Sequence, residues 1–407
     1  MSASETIEPP IRFPEFKEPW ETKPIERILE RHSTAVDVEP ETLYTQIGLR
    51  SHGKGVFHKK PVTGESLGNK RVFWIHPNCL VVNIVFAWEQ AVGKTTEQEA
   101  GLIASHRFPM YTPKDKQADI DFIVRFFLRP RGKHLLGLAS PGGAGRNRTL
   151  GQKEFDKLKI VVPSLPEQRK IADFLTAVDG RIGQLVQKKA WLTDYKKGVM
   201  QQLFTQAIRF KDDHGNDFPD WEEKKLKAVA KIYDGTHTTP SYTETGVPFY
   251  SVEHLTRGCF QKTRFISEEV FEKENKRVKL ERGDVLMTRI GDIGTSRHLD
   301  WDVRASFYVS LALIKLQRDH VSPQFAHHSI SARYFQQELW QRTIHVAFPK
   351  KINLGEIGEC QIKLPTMDEQ TKIADFLSAI DRKIESVATQ ITETQTFKRG
   401  LLQQMFV

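Results

Sequence analysis

Little in this chain of 407 residues invites covalent or metal chemistry. Its three cysteines, Cys79, Cys259 and Cys360, lie far apart without C-x-x-C spacing, which argues against both a disulfide framework and a zinc site. There is no G-x-x-x-x-G-K-S/T loop for a nucleotide, no H-E-x-x-H and no strand-linked G-x-G-x-x-G. His237, His327 and His328 stand without carboxylate or cysteine partners at ligand spacing, so surface or base-contacting roles are expected for them rather than metal binding. No apolar run approaches the roughly 20 residues of a membrane span, and no signal peptide opens the chain, so a cytoplasmic protein with no membrane partner is expected. Acidic residues are missing from one stretch altogether. Residues 122–153 carry Arg125, Arg129, Arg131, Lys133, Arg146, Arg148 and Lys153 and not a single Asp or Glu.

What the chain does have is a repeat. Residues 164–204 recur in gapless register at 366–406, a shift of 202 positions, from Ser164-Leu-Pro-Glu-Gln and Thr366-Met-Asp-Glu-Gln to Gln-Gln-Leu-Phe204 and Gln-Gln-Met-Phe406. A period near 200 residues is too long for a solenoid unit and marks a duplicated module. Steps of four and three from Ile171 and from Ile373 meet apolar residues at eight of ten positions in each copy. That 3.5-residue spacing is the seam of a coiled coil. The seam residues are Ile171, Leu175, Val178, Ile182, Leu185 and Leu192 in the first copy, and Ile373, Leu377, Ile380, Ile384, Val387 and Ile391 in the second. Ser164 with Glu167, and Thr366 with Glu369, have capping-box spacing and give both helices a start. At 1.5 Å per residue each makes a rod of roughly 60 Å. Two equal seams in one chain are satisfied by pairing with each other.

A shorter echo closes the repeat. Ile208-Arg209-Phe210 and Trp221-Glu222 follow the first helix; Ile11-Arg12-Phe13 and Trp20-Glu21 open the chain, and so resemble what should follow the second. The expected organisation is an N-terminal segment (1–19), a globule (20–163), a helix (164–207), a connector (208–219), a second globule (220–365) and a second helix (366–407). The fold class is α+β. Two α/β globules alternate with two long antiparallel coiled-coil helices in a pseudo-twofold, circular arrangement, with the globules at opposite ends of the rods.

The chain carries a net charge of +9, and +7 of it falls in residues 20–163. Its acid-free block is interrupted by Pro130-Arg131-Gly132 and by Pro141-Gly142-Gly143-Ala144-Gly145, the composition of basic loops that follow a phosphate backbone.

At these motifs the chain resembles a known family. Pro-x-x-Glu-Gln-x-x-Ile-Ala-x-Phe-Leu opening a long helix, with its second copy in the same register, each after a strand ending Ile160–Pro163 or Ile362–Pro365, looks like the specificity (S, HsdS) subunit of type I restriction-modification systems. The second globule adds Tyr233-Asp-Gly-Thr-His-Thr-Thr-Pro240, Gly246-Val-Pro-Phe249 and Arg282-Gly-Asp-Val-Leu-Met-Thr-Arg-Ile-Gly-Asp-Ile-Gly294, typical of the family's target recognition domains. The first globule lacks Gly-Thr-His and has Leu80-Val-Val-Asn-Ile84 where the second has Gly-Asp-Val-Leu.

The resemblance implies a non-catalytic subunit whose globules are target recognition domains, each reading half of a bipartite double-stranded DNA sequence. It further implies that the helices set the unread gap and dock two modification (methyltransferase) subunits, with restriction (motor-nuclease) subunits joining the complex. S-adenosylmethionine, ATP and Mg are then expected on the partners, and no cofactor or metal on this chain. The absence of an Asn-Pro-Pro-Tyr or Asp-Pro-Pro-Tyr tetrapeptide agrees with methylation chemistry lying elsewhere. The alternative is a coiled-coil structural adaptor with only non-specific nucleic-acid affinity. Polar and basic loop residues are the types that read base edges. They nominate Arg50, His52, Lys54, Arg146 and Arg148 in the first globule, and Thr236, His237, Thr238, Thr239, Arg289 and Arg297 in the second. For Thr236–Thr239, turn capping by the hydroxyls stands as an equal reading.

Overall fold

The computed structural model describes residues 8–142 and 148–407. They divide into two compact units, one holding the chain up to Val186 together with Thr389–Val407, the other Gln187–Ala388. Each unit therefore contains one globule and a stretch of each long helix.

The globule of the first unit is built on a four-stranded antiparallel sheet in the order Leu29–His32, Met110–Pro113, Leu80–Val82, Val92–Lys94. The second has Ala230–Asp234, Leu311–Leu316, Val285–Ile290, Asp292–His298 in the same order, also antiparallel. Inner strands in such a sheet carry apolar side chains on both faces when both are covered. Accordingly Leu80, Val81 and Val82 are buried, as are Val285, Leu286 and Met287. The Leu80–Ile84 run thus takes the place in the sheet that Gly-Asp-Val-Leu opens in the second globule.

After the sheet come two helices in each globule, Ile120–Phe127 and Pro130–Leu138 in the first and Pro323–Ser331 and Arg333–Arg342 in the second. The leading helix of each pair has a side-chain N-cap: Asp119 accepts from the Phe122 amide and Ser322 from the Phe325 amide. A short helix (Gln152–Asp156 or Leu354–Glu359) and a last strand follow. That strand pairs with the globule's first: Lys159–Val162 with Glu21–Pro24, and Gln361–Leu364 with Glu222–Lys225. Outside this shared scaffold the globules differ. The first adds three two-stranded ribbons, the second a three-stranded sheet of Arg264–Ile266, Val247–Tyr250 and Ser306–Phe307.

The long helices run Leu165–Phe204 and Met367–Gln404. In the first unit Ile171, Ala172 and Leu175 share a core with Leu401, Met405 and Phe406, and Asp179 meets Lys398 at 2.5 Å. In the second, Val199, Leu203 and Phe204 share a core with Ile373, Leu377 and Ile380, and Lys196 meets Asp381 at 2.6 Å. In each unit the start of one helix therefore packs on the end of the other, the antiparallel pairing expected from the seams. All twelve nominated seam residues are buried or half-buried.

The Glu-Gln pair of the motif does something its spacing conceals. Glu167 is fully buried and receives Arg12 through Nε and Nη2, both at 2.8 Å, and the Trp20 indole N–H at 3.4 Å. Glu369 receives Arg209 at 3.1 and 2.8 Å and the Trp221 indole at 3.0 Å. Gln168 Nε2 donates to the Pro163 and Gln117 carbonyls while its Oε1 accepts from the Asp119 amide. Gln370 repeats this with Pro365, His320 and Ser322. The capping-box expectation is corrected accordingly: Thr366 caps the Glu369 amide at 3.4 Å, but the glutamate side chain turns away to its arginine and tryptophan. A charged donor satisfies a buried carboxylate better than a backbone amide does.

The N-terminal echo is likewise structural. The Ile11 amide donates to the Gln404 carbonyl at 2.9 Å, as Ile208 donates to Gln202 at 3.4 Å, and Phe13 rests edge-on against Phe174 as Phe210 does against Phe376. The chain start continues from the end of the second helix, closing the repeat. Among the described residues, no helix is long and apolar enough to cross a membrane.

Candidate nucleic-acid interface

In the first globule the loop that carries Arg50, His52 and Lys54, and also Arg148, meet one short 3-10 turn, Ala87–Glu89. Arg50, His52 and Lys54 are exposed on the loop joining strands Ile47–Leu49 and Val56–His58. The His52 and Gly53 amides donate to the carbonyls of Glu89 and Gln90, and Ser51 Oγ reaches Glu89 at 3.0 Å. Arg50 lies over the Phe57 ring at 4.5 Å. From the other side Arg148 lies over Trp88 at 5.8 Å, beside an open cleft of about 520 Å³ lined also by Lys133, His134 and the exposed Leu138. Two segments far apart in sequence thus meet at the turn that carries Trp88. Arg146 lies outside the described residues.

In the second globule the Gly-Thr-His turn divides by side chain. Gly235 is required: a Cβ there would stand 2.0 Å from the Phe307 carbonyl oxygen, because the turn is bridged in parallel to Tyr308. Thr236 is buried, its amide donating to Phe307 and its hydroxyl to the Thr238 carbonyl, the turn-capping reading. His237, Thr238 and Thr239 are exposed, with His237 Nε2 at 2.9 Å from Asp234 and Thr239 Oγ1 at 2.9 Å from the Tyr308 hydroxyl.

Arg289 is buried, and its Nε and Nη1 donate within the domain, to the Ile352 carbonyl at 3.2 Å and the Val309 carbonyl at 2.8 Å, with Asp234 at 3.8 Å. It ties the Gly-Thr-His turn to the loop before the last short helix. Asp234 also binds Arg277 at 2.8 Å. Burial alone would push its carboxyl up, but hydrogen bonds from Arg277 and His237 outweigh that and hold it below the ordinary range. Burial pulls the Arg289 guanidinium down, with Asp234 pushing back.

Arg297 is not brought to this face. It is half-buried on strand Asp292–His298, close to Gly258. Burial lowers its pKa against the attraction of Asp381 and Glu385 on the second long helix. Around that junction Ser296 meets His327 Nδ1 at 2.8 Å and Ser378 meets His328 Nε2 at 2.9 Å. His327 and His328 are therefore domain-to-helix packing groups, not the surface or base-contacting groups expected from sequence. With Asp381 they form the one cluster among the described residues whose ligand atoms could surround a metal ion. Both carboxylate oxygens of Asp381, however, lie 2.6 Å from the Lys196 ammonium, which supplies the positive charge in place of an ion.

Sequence reasoning nominated Arg146 and Arg148 before the last short helix of the first globule but passed over the matching loop of the second. In the second globule it carries Val346 and Phe348, both fully exposed, with Lys350 over the Trp340 ring at 5.4 Å. Lys350 is 202 positions after Arg148, which lies over Trp88. The main chain agrees: the Leu150 amide donates to Ile84, and Ile352, 202 positions on, donates to Arg289. A cation at the same place in both repeats, Arg148 and Lys350, was the available signal.

Comparison with known proteins falls on the same two regions. The pattern of the family described as type I restriction modification DNA specificity domain matches residues 78–193 and 219–395. The type I restriction enzyme MjaVIII specificity subunit of Methanocaldococcus jannaschii is 28% identical over 264 residues, 62% of this chain and 62% of that protein. The Escherichia coli EcoBI specificity subunit is 21% identical over 358 residues, 82% of this chain and 73% of that one. The match to a second M. jannaschii specificity subunit, the putative MjaX, covers 60% of its length, so it and the MjaVIII subunit are each spanned by less than two thirds. In fold, the S subunit from M. genitalium superposes with a TM-score of 0.61 at 13% identity, covering 98% of this chain and 99% of that one. The Thermoanaerobacter tengcongensis S subunit gives 0.51 at 17%, covering 97% and 98%. By its doubled scaffold, its doubled Glu-Gln helix motif and these matches, the chain belongs to the type I restriction-modification specificity-subunit family.

Proposed function

We propose that this chain is the sequence-reading, non-catalytic subunit of a type I restriction-modification complex. Each globule reads one half of a bipartite DNA target. The paired helices fix the separation of the two readings and dock two modification subunits, which carry S-adenosylmethionine, while ATP and Mg belong to the motor-nuclease partners. One observation carries this reading: the same sheet-and-helix scaffold occurs twice, with a cation, Arg148 or Lys350, lying over a tryptophan ring at positions 202 residues apart. The contacts proposed for the first globule are Arg50, His52, Lys54 and Arg148, with Arg146 retained from its sequence. Those for the second are His237, Thr238, Thr239, Lys350 and Lys351, while Thr236, Arg289 and Arg297 hold the scaffold. An adaptor with only electrostatic affinity would lose binding uniformly with rising salt, whereas a reader keeps its preference for one sequence.

Exchange of residues 220–362 for the same segment of another family member tests it, with methylome sequencing of the host as readout. One half-sequence is expected to change while the other half and the unread gap stay constant. A methylated motif altered in both halves, or unaltered, would refute two independent readers.

A further inference from the structure

The loop from Thr343 to Asn353 displays two large apolar side chains outward. Val346 and Phe348 are 96% and 104% exposed, the most exposed large apolar side chains among the described residues. They stand on a firm base. Gly291 donates to Lys350 at 2.8 Å and Ile352 donates to Arg289 at 3.0 Å, which stitches the loop's second foot to strand Val285–Ile290 and the turn after it, and the Ile344 amide donates to Lys351 at 2.8 Å, which ties the first foot to the second. The buried Arg289 side chain holds the same foot through the Ile352 carbonyl. Only the tip is free of such contacts. An exposed phenyl on a pinned loop is already in place for whatever covers it, with little ordering left to lose on binding.

The surroundings say what that is. Residues 343–353 contain His345, Lys350 and Lys351 and no acidic residue. Lys350 lies over Trp340, whose carbonyl accepts from His345 at 2.9 Å. An apolar tip beside two ammonium groups fits a duplex opened at one base step, the ring entering the stack and the cations meeting the flanking phosphates. The matching loop of the first globule offers Arg148 over Trp88, but has Arg146 where Phe348 stands 202 positions later.

The geometry points to Phe348 as a wedge that unstacks one base step of the DNA half-site read by the second globule, with Lys350 and Lys351 on the adjacent phosphates. The inference rests on the DNA-reading function proposed above and adds to it a mode of recognition: the second half-site is chosen partly by how easily one step opens, the first without such a wedge.

The test uses the full chain and a pool of randomised duplexes. Selection first yields the bound sequence; 2-aminopurine, whose fluorescence rises when it unstacks, is then placed at successive positions of both half-sites. Fluorescence is expected to rise several-fold at one step of the second half-site only. Phe348→Ala should abolish that rise and weaken binding about tenfold or more, the scale of losing one base–aromatic stack. Phe348→Leu should retain most of the rise, and Lys350→Ala should keep it while lowering affinity and the salt dependence. As Phe348 packs on nothing, its replacement leaves the fold intact, which the unfolding midpoint checks. A pool with no enriched sequence would remove the DNA-reading function itself. An enriched sequence with flat fluorescence in the wild-type chain would overturn the wedge alone. So would a Phe348→Ala chain that binds DNA normally but no longer co-purifies with the modification subunits, which would make the tip a protein contact.

Discussion

Glu369→Ala is expected to destabilise the unit formed by Gln187–Ala388 by about 3–5 kcal/mol, the usual cost of removing one member of a buried, hydrogen-bonded ion pair. The carboxylate is fully buried and accepts two bonds from Arg209 and one from Trp221. Its hydrogen bonds with Arg209 raise the guanidinium's pKa against the opposing effect of burial. Removing it leaves a cation and an indole N–H facing a cavity. The contrast is the double change Arg209→Leu with Glu369→Leu, which should cost far less, because no buried charge is left uncompensated. Denaturant unfolding of the full chain, followed by tryptophan fluorescence, provides the measurement. Glu167→Ala should act equally on the other unit, through Arg12 and Trp20. If Glu369→Ala shifted the midpoint by less than about 1 kcal/mol, as typical for an exposed pair, the clasp would not be what anchors the connector to the helix.

That clasp also shows where a sequence stops being legible. The helices were readable because their signal is local: an apolar seam at 3.5-residue spacing needs no knowledge of the rest of the chain. The glutamate was misread as half of a capping box because its partners stand 155 and 160 residues away, and nothing in three-residue spacing announces them. Residue type misled in the same manner at Arg289. An arginine in a glycine-rich turn is a fair candidate for a base contact, yet burial decided otherwise. The carboxylate of Asp234 and two carbonyls hold it inside the domain, beside the turn that carries the exposed His237, Thr238 and Thr239. Phe348 was overlooked for the opposite reason: an aromatic residue is assigned to a core by default, and only the folded loop shows that it points to solvent. The equivalence of Leu80–Ile84 with the Gly-Asp-Val-Leu strand was legible because central strands of a covered sheet need only be apolar.

Acidification should weaken the second unit through the histidines at the domain–helix junction. His328 is 1% exposed, and its Nδ1 has no hydrogen-bond partner although Asp381 lies 4.0 Å away. Burial, with Lys196 and His298 adding repulsion, pushes its pKa down to about 3. Burial likewise carries His327 well below its usual value, where His328, Lys196 and Arg297 disfavour a proton and Asp381 favours one. His298 is lowered as well, again by burial, with Asp300 opposing and Arg318 and Arg282 reinforcing. A base whose pKa is depressed by folding gives full stability above its unfolded value near 6.5 and loses it as pH falls toward the folded value. Between those limits the unfolded chain holds the proton and the native chain does not. At about 1.36 kcal/mol per pH unit for each such group, His328 alone should cost the unit about 2 kcal/mol between pH 7 and pH 5. Denaturant midpoints across that range measure the slope, and His328→Gln, whose amide can still reach Ser378, should flatten it by about one proton. The close histidine pair of the first unit, His32 and His76, with ring centroids 4.0 Å apart, is half-buried rather than buried, so that unit's midpoint should follow a shallower course. A slope in the second unit unchanged by His328→Gln would mean that the ring is protonated in the native protein, with the Asp381 carboxylate shared between it and Lys196.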